Sequence, residues 1–309
     1  GDGYGLSKNA IQSIHDKGCQ LIVTVDNGIS ALEEAEFAAS LGVDLIVTDH
    51  HLPHDALPKA VAVVDPRRAD DHSPFKGLCG AGVAFKLCAA LDGCPPEEML
   101  DYCGDLAAVG TVADVMPLTG ENRTLVKAGL KLLQQTDRPG ISALLEEVGL
   151  EGKPITAENV SYAIAPRINA AGRMDNAVTA LQLVLCEDEE RAAELAHKLN
   201  EINVARQETE QEIVKAAQEQ LDAADRYAEA LGLAFQTRDD MLDVLGDSGK
   251  MGKATGMDEN KNTFVRLYGV GACSRLIERE TQKSIEALGA FEDSDFLKEL
   301  SMKLAIREC

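Results

Sequence analysis

Three short apolar runs near the start of the chain limit its possible folds more than any other feature. They are QLIVTV at 20–25, VDLIVT at 43–48 and AVAVV at 60–64. The runs are uninterrupted, and segments of helical character separate them. Uninterrupted apolar strands between helices are typical of a parallel sheet with helices on both faces. We therefore predict that the first part of the chain is an α/β unit built on such a sheet.

Turn and capping residues mark the helices next to these strands. Residues 8–17 have a helical pattern. Asn27 and Gly28 predict a turn after the first strand, and Ser30 with Glu33 fits a capping box for the following helix. The alternation of helix and strand supports the α/β prediction.

The composition changes after the first half of the chain. All ten prolines lie at or before Pro166, and neither Gly nor Pro occurs between Gly172 and Gly232. That interval is rich in Ala, Glu, Gln and Leu, which favour helix. We predict long helix there and an all-α last part, interrupted by a Gly-containing loop at 246–256.

The net charge of −22 argues against general affinity for nucleic acids. Phosphates repel an acidic surface, so a nucleic-acid substrate would need a local basic lining or bound metal ions. An excess of carboxylates also suits a site that concentrates divalent cations.

The eight cysteines favour a reducing compartment. None falls in a CxxC pair, and none has a zinc-type spacing with histidine. Their even number leaves disulfides open, but most lie in apolar runs such as VAFKLCAAL, where Cys acts as a small core residue. No apolar stretch approaches the roughly 20 residues that span a membrane, and we expect no signal peptide. We predict a cytoplasmic protein without a membrane partner.

Acidic and histidine residues follow the first two strands. Asp26 comes directly after the first strand, and Asp49, His50 and His51 come directly after the second. Because the carboxyl ends of neighbouring parallel strands open onto one crevice, these side chains can meet in space. A mixed Asp and His set suits Mn²⁺ or Mg²⁺, and two such ions can assist an in-line displacement at phosphorus. From spacing alone, a helix-capping aspartate and an exposed His-His loop remain open.

Five motifs, taken in order, resemble the DHH phosphoesterase family. They are VDNGIS, VTDHH, LCGAGVAFKL, DLAAVGTVADVMPL and APRINAAGRM, within about residues 3–220. The last two are most similar to those of the family's exonucleases specific for single-stranded DNA. The resemblance implies a two-metal site that uses Mn²⁺ or Mg²⁺ to hydrolyse single-stranded DNA from the 5′ end. Phosphoesterases of the same family that act on smaller substrates remain the alternative.

The resemblance also implies roles around the metals. Asp26 would bridge the two ions, and His50 and Asp105 would bind one of them. His51 would face the scissile phosphate and stabilise charge there, while Asp49 would orient a histidine from behind. Without the family, Asp105 is also explained as a charge at the end of a helix.

By the same resemblance, Arg167, Asn169 and Arg173 in PRINAAGR line the DNA path. Guanidinium groups bind phosphate oxygens in a forked geometry, and the small residues between them allow close approach. Structural ion pairs are the alternative for both arginines. We interpret Gly80 and Gly82 in CGAGVAFK as a tight turn that packs a helix on the sheet, since a lone GxG is weak evidence for phosphate binding.

The chain departs from the family pattern in two ways. The family strand that ends in a DxD motif, with ligands for the other metal, would lie before Gly1. The family's later nucleic-acid-binding domain has no counterpart after about residue 220. We therefore expect one metal position to be lost and any nuclease activity to be strongly reduced.

A second acidic motif, FQTRDDMLD, lies at 235–243. On a helix, Asp239 and Asp243 share one face and Asp240 is adjacent. Such carboxylates can hold Mg²⁺ against a diphosphate. For DDxxD alone, a solvated acidic face is the simpler explanation.

This motif and the later MGKATGMDENKNTFV resemble the C-terminal part of trans-type polyprenyl synthases, from about residue 222 to Cys309. The resemblance implies an isoprenoid diphosphate as ligand, with Phe235 and Gln236 lining the allylic site. Four residues are assigned to the diphosphate and its Mg²⁺: Asp239, Asp240, Asp243 and Lys253. The family's first aspartate-rich motif has no counterpart before residue 222, so we expect no prenyl transfer.

Two unrelated families thus meet in a helical stretch near 218–225 without a Gly, Pro or Ser linker. We expect a chimera of two partial proteins, produced by gene fusion or in sequence assembly. The predicted organisation has three parts: a DHH phosphoesterase domain at 1–175 that lacks its first strand, a helical connector at 176–221 and a polyprenyl-synthase-like helical segment at 222–309.

Overall fold

The chain folds into two compact units, Gly1–Arg206 and Gln207–Cys309. The structure is a computed structural model, and it describes residues 5–174, 177–245 and 262–307, apart from the side chain of Arg173.

A three-stranded parallel sheet forms the start of the first unit. The strands are β1 (Leu21–Val25), β2 (Asp44–Thr48) and β3 (Ala62–Val64), in the order β1-β2-β3. Leu21 pairs with Asp44, and Thr48 pairs with Val64. This register brings the three carboxyl ends side by side. The predicted α/β first part with a parallel sheet is confirmed.

One face of the sheet is buried and the other is not. Helices α1 (Lys8–Asp16) and α2 (Leu32–Ser40) pack on the buried face, where Ile11, Ala35 and Ala38 meet Ile22, Leu45 and Val47. On the opposite face, the side chains of β1 stay partly exposed: Leu21 at 52%, Val23 at 44% and Val25 at 46%. The expectation of a sheet covered on both faces is therefore wrong for this side of β1, within the described residues.

The capping box predicted for α2 does not form. The helix begins at Leu32, its N-cap is Ala31, and no side chain caps it. Glu33 instead pairs with Lys8 of α1, with 2.7 Å between Oε2 and Nζ. The side chain that a capping box would require, Glu33, is therefore engaged in an ion pair with a neighbouring helix.

The rest of the first unit is helical and packs around apolar clusters. One includes Leu133, Ile141, Leu144, Leu183 and Leu199, and another includes Phe85, Met99 and Leu125. The elements of this part are α3 (Gly80–Asp92), α4 (Pro96–Ala113), α5 (Gly120–Gln134), α6 (Pro139–Glu147), α7 (Ala157–Asn159), a π-helical turn (Val160–Ile164), α8 (Ala165–Met174), α9 (Ala177–Val184) and the first part of α10 (Glu189–Leu245). The long helix predicted after Gly172 is thus divided. A break at Leu185–Asp188 precedes α10, and Asp188 Oδ1 accepts the backbone N–H of Arg191 at 2.7 Å.

Where the structure describes it, the second unit is all-α, as predicted. The rest of α10 packs with α11 (Phe264–Tyr268), α12 (Val270–Ala287) and α13 (Asp295–Ile306), and a 3₁₀ turn (Leu288–Ala290) follows α12. Met241, Cys273 and Ile277 form its core. Within α10, residues 207–222 carry no buried side chain. The loop predicted at 246–256 lies outside the described residues.

Over the described ranges, none of the helices is both long and apolar enough to cross a bilayer.

Candidate metal centre

The loop after β1 holds Asp26 in an unusual backbone conformation. Asp26 has a φ of 65°, and its N–H donates to the carbonyl of Thr48 at 3.0 Å. The Thr24 hydroxyl donates to the carbonyl of Asn27, and the Thr48 hydroxyl donates to the carbonyl of Thr24, both at 2.7 Å. A non-glycine residue with positive φ costs free energy and persists only where its surroundings fix it. These bonds turn the Asp26 side chain toward the end of β2.

Asp49 organises the loop after β2. It is 1% exposed, and its carboxylate accepts the N–H of Ile29 at 2.9 Å and that of His50 at 2.7 Å. Its Oδ1 also lies 2.7 Å from Nδ1 of His51. Burial alone would raise the pKa of Asp49, but the hydrogen bonds from Ile29, His51 and His50 outweigh it and lower that pKa. Asp49 is therefore an ionised anchor that fixes the orientation of His51.

His50 lies between two carboxylates. Its Nε2 is 2.9 Å from Oδ1 of Asp26 and 3.5 Å from Oδ2 of Asp114. The 2.9 Å contact is that of an ion pair, but the groups are not aligned as hydrogen-bond donor and acceptor. Asp26 Oδ1 and both ring nitrogens of His50 are accordingly buried without a hydrogen bond. Buried polar atoms that face one another without bonding are what a coordinated cation would satisfy.

The four residues together fit a divalent cation. Asp26, Asp49, His50 and His51 each offer one ligand atom, and these atoms lie within 4.8 Å of one another. Carboxylate oxygens with imidazole nitrogens suit Mn²⁺ or Mg²⁺. Three of the four side chains come from the single run Asp49–His51, and Asp26 is added by the pairing of β1 with β2.

Gly80 touches this group. It is the first residue of α3, and a Cβ at this position would overlap Cβ and Oδ1 of Asp26. The packing predicted for Gly80 is thus against a side chain of the metal-binding group. Only glycine lets the helix start approach Asp26 this closely.

The structure does not bring Asp105, which the family resemblance assigns to a metal, to this group. The Asp105 carboxylate accepts Nε of Arg138 at 3.0 Å and the N–H of Leu106 at 2.8 Å. Asp105 lies within α4, just past an irregular turn at Cys103, whereas Asp114 follows the last residue of the helix. The two residues are nine positions apart, which is about two and a half helical turns. That rise puts Asp114, and not Asp105, beside His50.

We expect Asp114→Asn and Asp105→Asn to act differently. Asp114→Asn should weaken Mn²⁺ binding by about 10- to 100-fold, because a charged oxygen beside His50 becomes a neutral amide. Asp105→Asn should leave Mn²⁺ affinity unchanged and lower stability by about 1–3 kcal/mol through loss of the partly buried pair with Arg138. Calorimetric titration with Mn²⁺ and chemical denaturation of both variants check this. Equal losses of Mn²⁺ affinity would restore Asp105 as a ligand.

The pKa of His50 predicts a pH dependence. The contact with Asp26 raises the pKa of His50, burial opposes this increase, and the charge of Asp114 raises that pKa further. Because the folded-state pKa exceeds the ordinary value, the ion pair stabilises the metal-free chain below about pH 6.5, and that stability is lost as pH rises through the folded-state pKa. Mn²⁺ affinity should rise over the same window, since the proton and the metal compete for Nε2. Melting curves in chelator should show this slope, and Asp26→Asn should flatten it.

Asp65 is a buried carboxylate that sequence reasoning passed over. It follows β3 directly, is 2% exposed, and its Oδ1 accepts the N–H of Arg67 at 2.7 Å. Its Oδ2 is buried without a hydrogen bond, and burial raises its pKa. In the sequence, Asp65 and Pro66 indicate only the end of the third strand. The expectation that ligands lie at the carboxyl ends of parallel strands would also have identified Asp65.

The residues of PRINAAGR are divided between two environments. Arg167 donates from Nε to Oδ1 of Asn200 at 2.8 Å and from Nη1 to the carbonyl of Ala163 at 2.7 Å. Burial lowers its pKa. Asn169 lines a cavity of about 230 Å³ that Val115 and Arg206 also line. The side chain of Arg173 lies outside the described residues.

The three aspartates of the FQTRDDMLD motif have interaction partners. Asp240 is 6% exposed and accepts the N–H of Phe264 at 2.7 Å. Asp239 pairs with Arg307. Asp243 also has an interaction partner. Lys253 lies outside the described residues.

Two family models match the chain. The DHH family, N-terminal domain, matches residues 5–111, and the polyprenyl synthetase family matches residues 203–300. The second match begins earlier than the start predicted near residue 222.

Curated relatives and solved structures match the first part. The single-stranded-DNA-specific exonuclease RecJ of Bacillus subtilis is 42% identical over 226 residues, which are 72% of this chain and 28% of the relative. The RecJ of Escherichia coli is 44% identical over 222 residues, or 68% of this chain and 38% of the relative. A crystal structure of exonuclease RecJ bound to manganese superposes with a TM-score of 0.61 at 40% identity, covering 69% of this chain and 54% of that one. The RecJ of Thermus thermophilus in complex with Mn²⁺ gives a TM-score of 0.59 at 40% identity, over 68% of this chain and 31% of that one. The chain thus spans well under half the length of these curated relatives.

The sheet, the strand-end carboxylates and the paired histidines are the parts of a phosphoesterase domain of the DHH type, and residues 5–111 match the DHH family, N-terminal domain. Within that family, the first part of the chain is RecJ-like. The last third matches a different family, the polyprenyl synthetases, as the chimera prediction requires.

Proposed function

We propose that the first unit is a metal-dependent phosphodiesterase that removes nucleotides from the 5′ end of single-stranded DNA, in keeping with the single-stranded-DNA-specific exonucleases to which it is similar. The group of Asp26, Asp49, His50 and His51 carries this proposal, because one ligand atom from each residue lies within 4.8 Å of the other three. Smaller-substrate phosphoesterases are disfavoured because the similarity to RecJ relatives extends over 222 residues or more.

Asp26 and His50 would hold the metal, with Asp114 as a further oxygen ligand in place of Asp105. Mn²⁺ or Mg²⁺ fits this mixed donor set, and the RecJ structures quoted above contain manganese. When bound, the ion would supply charge stabilisation at phosphorus and an activated water. The acidic side chains alone would repel DNA, so a bound cation would also permit the phosphate to approach.

His51 is the group we assign to the phosphate. Its Nδ1 faces Asp49 Oδ1, which favours the proton on Nδ1 and leaves Nε2 free to act. The side chain is 57% exposed, so a substrate can reach it. With a proton taken from water at Nε2, an imidazole held by an ionised carboxylate can donate a hydrogen bond to a phosphate oxygen and stabilise the charge there. Asp49 is thus a positioning residue for His51.

Asn169 has the most support among the residues assigned to the DNA path. The cavity that it lines also includes Val115, the residue after Asp114, so the cavity adjoins the metal centre. Arg167 already donates to two internal acceptors, which supports a structural role for it, although both acceptors are neutral and it forms hydrogen bonds there instead of an ion pair. Contact of Arg173 with DNA stays a prediction.

Digestion of a 5′-labelled single-stranded oligonucleotide with Mn²⁺ tests this function. Asp26→Ala and His50→Ala should remove the activity, and the exposed His54→Ala is the matched control. Activity that survives both ligand variants would come from a contaminant. If the folded chain binds Mn²⁺ without cutting, a non-catalytic metal-binding protein becomes the better description.

A second candidate function concerns the last third of the chain. Its match to the polyprenyl synthetases favours binding of an isoprenoid diphosphate through Asp239 and Asp243, which would require the ligand to displace the Arg307 guanidinium that pairs with Asp239. Turnover of an allylic diphosphate by the whole chain would establish it.

We further propose that the chain is a chimera whose junction lies within α10, and that it resides in the cytoplasm. The DHH match ends at residue 111 and the polyprenyl synthetase match begins at residue 203, and the similarity to the RecJ of Bacillus subtilis covers 72% of the chain, so it extends into the stretch between the two matches. Sequencing across residues 200–225 in an independent DNA clone tests the junction. Reads that diverge there would mark an assembly artefact, while continuous reads would mark a fused gene.

A further inference from the structure

Arg307 is held against the aspartate-rich motif of the second unit by three contacts. Its guanidinium pairs with Oδ1 of Asp239, and its Cζ lies 3.9 Å from the ring centroid of Phe235. Its backbone carbonyl accepts Nε and Nη2 of Arg238 at 3.0 and 2.6 Å. Both ends of the residue are therefore fixed to α10.

The neighbouring carboxylate of the motif is also occupied. Asp240 Oδ2 accepts the N–H of Phe264 at 2.7 Å, and Oδ1 accepts Nε2 of Gln236 at 3.0 Å. Phe235 and Gln236, which the family resemblance assigns to a substrate site, are thus engaged in internal contacts. The motif is organised around groups of this chain.

We propose that the Arg307 guanidinium is the resident cation of this motif, bound where a polyprenyl synthase would place a divalent metal and its diphosphate. The C-terminal segment then acts as a clamp on α10. In this chain the DDxxD signature is a structural ion-pair site that excludes metal.

The physical basis is competition for one oxygen. A guanidinium donates N–H groups to carboxylate lone pairs, and a metal ion would need the same lone pairs. A dication near Asp239 would also be repelled by the positive charge over Phe235. To bind there, it must displace the guanidinium from Asp239 and from the ring of Phe235, so removing the guanidinium should open the site.

Mn²⁺ binding in the presence of inorganic pyrophosphate tests this proposal. The full chain is used with Asp26→Ala and His50→Ala, which remove the metal centre of the first unit. Bound Mn²⁺ is counted by electron paramagnetic resonance of the free ion. Arg307→Ala should gain one bound Mn²⁺ per chain, and adding Asp239→Asn should remove it again. In the parent, Asp239→Asn should change nothing.

Two further variants make the result decisive. Arg307→Gln keeps much of the side chain over Phe235 without the charge, so it should show the same gain if Arg307→Ala does not fold. Lys303→Ala, on α13 and paired only with Glu299 among the contacts described, should bind as the parent does. The proposal is overturned if the parent binds Mn²⁺ through Asp239, or if a folded Arg307 variant gains no site.

Discussion

Replacing His50 with alanine should abolish both Mn²⁺ binding and DNA digestion, whereas replacing His51 with alanine should abolish digestion alone. His50 is buried between Asp26 and Asp114, so its loss removes a ligand and leaves two carboxylates without a partner. His51 is exposed and reaches the centre through its contact with Asp49. Its expected role is with the phosphate, and loss of such a group typically costs about 10²- to 10⁴-fold in turnover.

Mn²⁺ titration calorimetry and single-turnover digestion separate the two histidines. His51→Ala should bind Mn²⁺ within about threefold of the parent while its cleavage rate falls by the larger factor. His54→Ala, an exposed histidine three residues further on, should match the parent in both measurements. A His51→Ala variant that loses Mn²⁺ and activity together would make His51 a ligand and leave the phosphate without an assigned partner.

Replacing Gly80 with alanine should damage the metal centre without removing any polar group. The added methyl would overlap Asp26, whose positive φ and hydrogen bond to Thr48 leave it little freedom to move. Overpacking of this kind costs about 1–3 kcal/mol of stability. Because Asp26 must shift, Mn²⁺ affinity should fall by about 10- to 100-fold.

Gly82 supplies the matched control for this prediction. It lies two residues further along α3, and a Cβ there would meet the flexible end of Leu78 at 3.2 Å. Gly82→Ala should therefore keep Mn²⁺ affinity and lose little stability. The prediction fails if both variants bind Mn²⁺ alike, since contact with Asp26 is the feature that distinguishes them.

Much of the first unit could be predicted from short-range patterns. The strand runs at 20–25, 43–48 and 60–64 agree with the observed strands to within two residues, because buried parallel strands need continuous apolar sequence. The same topology implied that Asp26 would meet the residues after β2, and the structure places it there. Local sequence is sufficient to predict the position of a side chain where the end of a strand fixes that position.

Choices that depend on packing could not be made from the sequence. Asp105 and Asp114 lie on one continuous helical run, and only the direction of α4 against the sheet decides which approaches His50. The motif around Arg167 predicts a phosphate ligand, but its Nε donates to Asn200, which lies 33 residues later in the chain and could not be identified as an acceptor from the sequence. The pairing of Arg307 with Asp239 spans 68 residues and leaves no local signal.

The exposed stretch 207–222 within α10 has a consequence for how such a chain can arise. Helical hydrogen bonds join backbone groups four residues apart and do not depend on side-chain identity. Two helical segments joined in frame can therefore form one continuous helix. The remaining risk is a mismatch of phase, in which the apolar stripe of one parent points away from the core it served. A segment with no buried side chain carries no stripe to misalign. Two unrelated genes can therefore recombine at such a segment and give a protein that folds, before selection acts on its function.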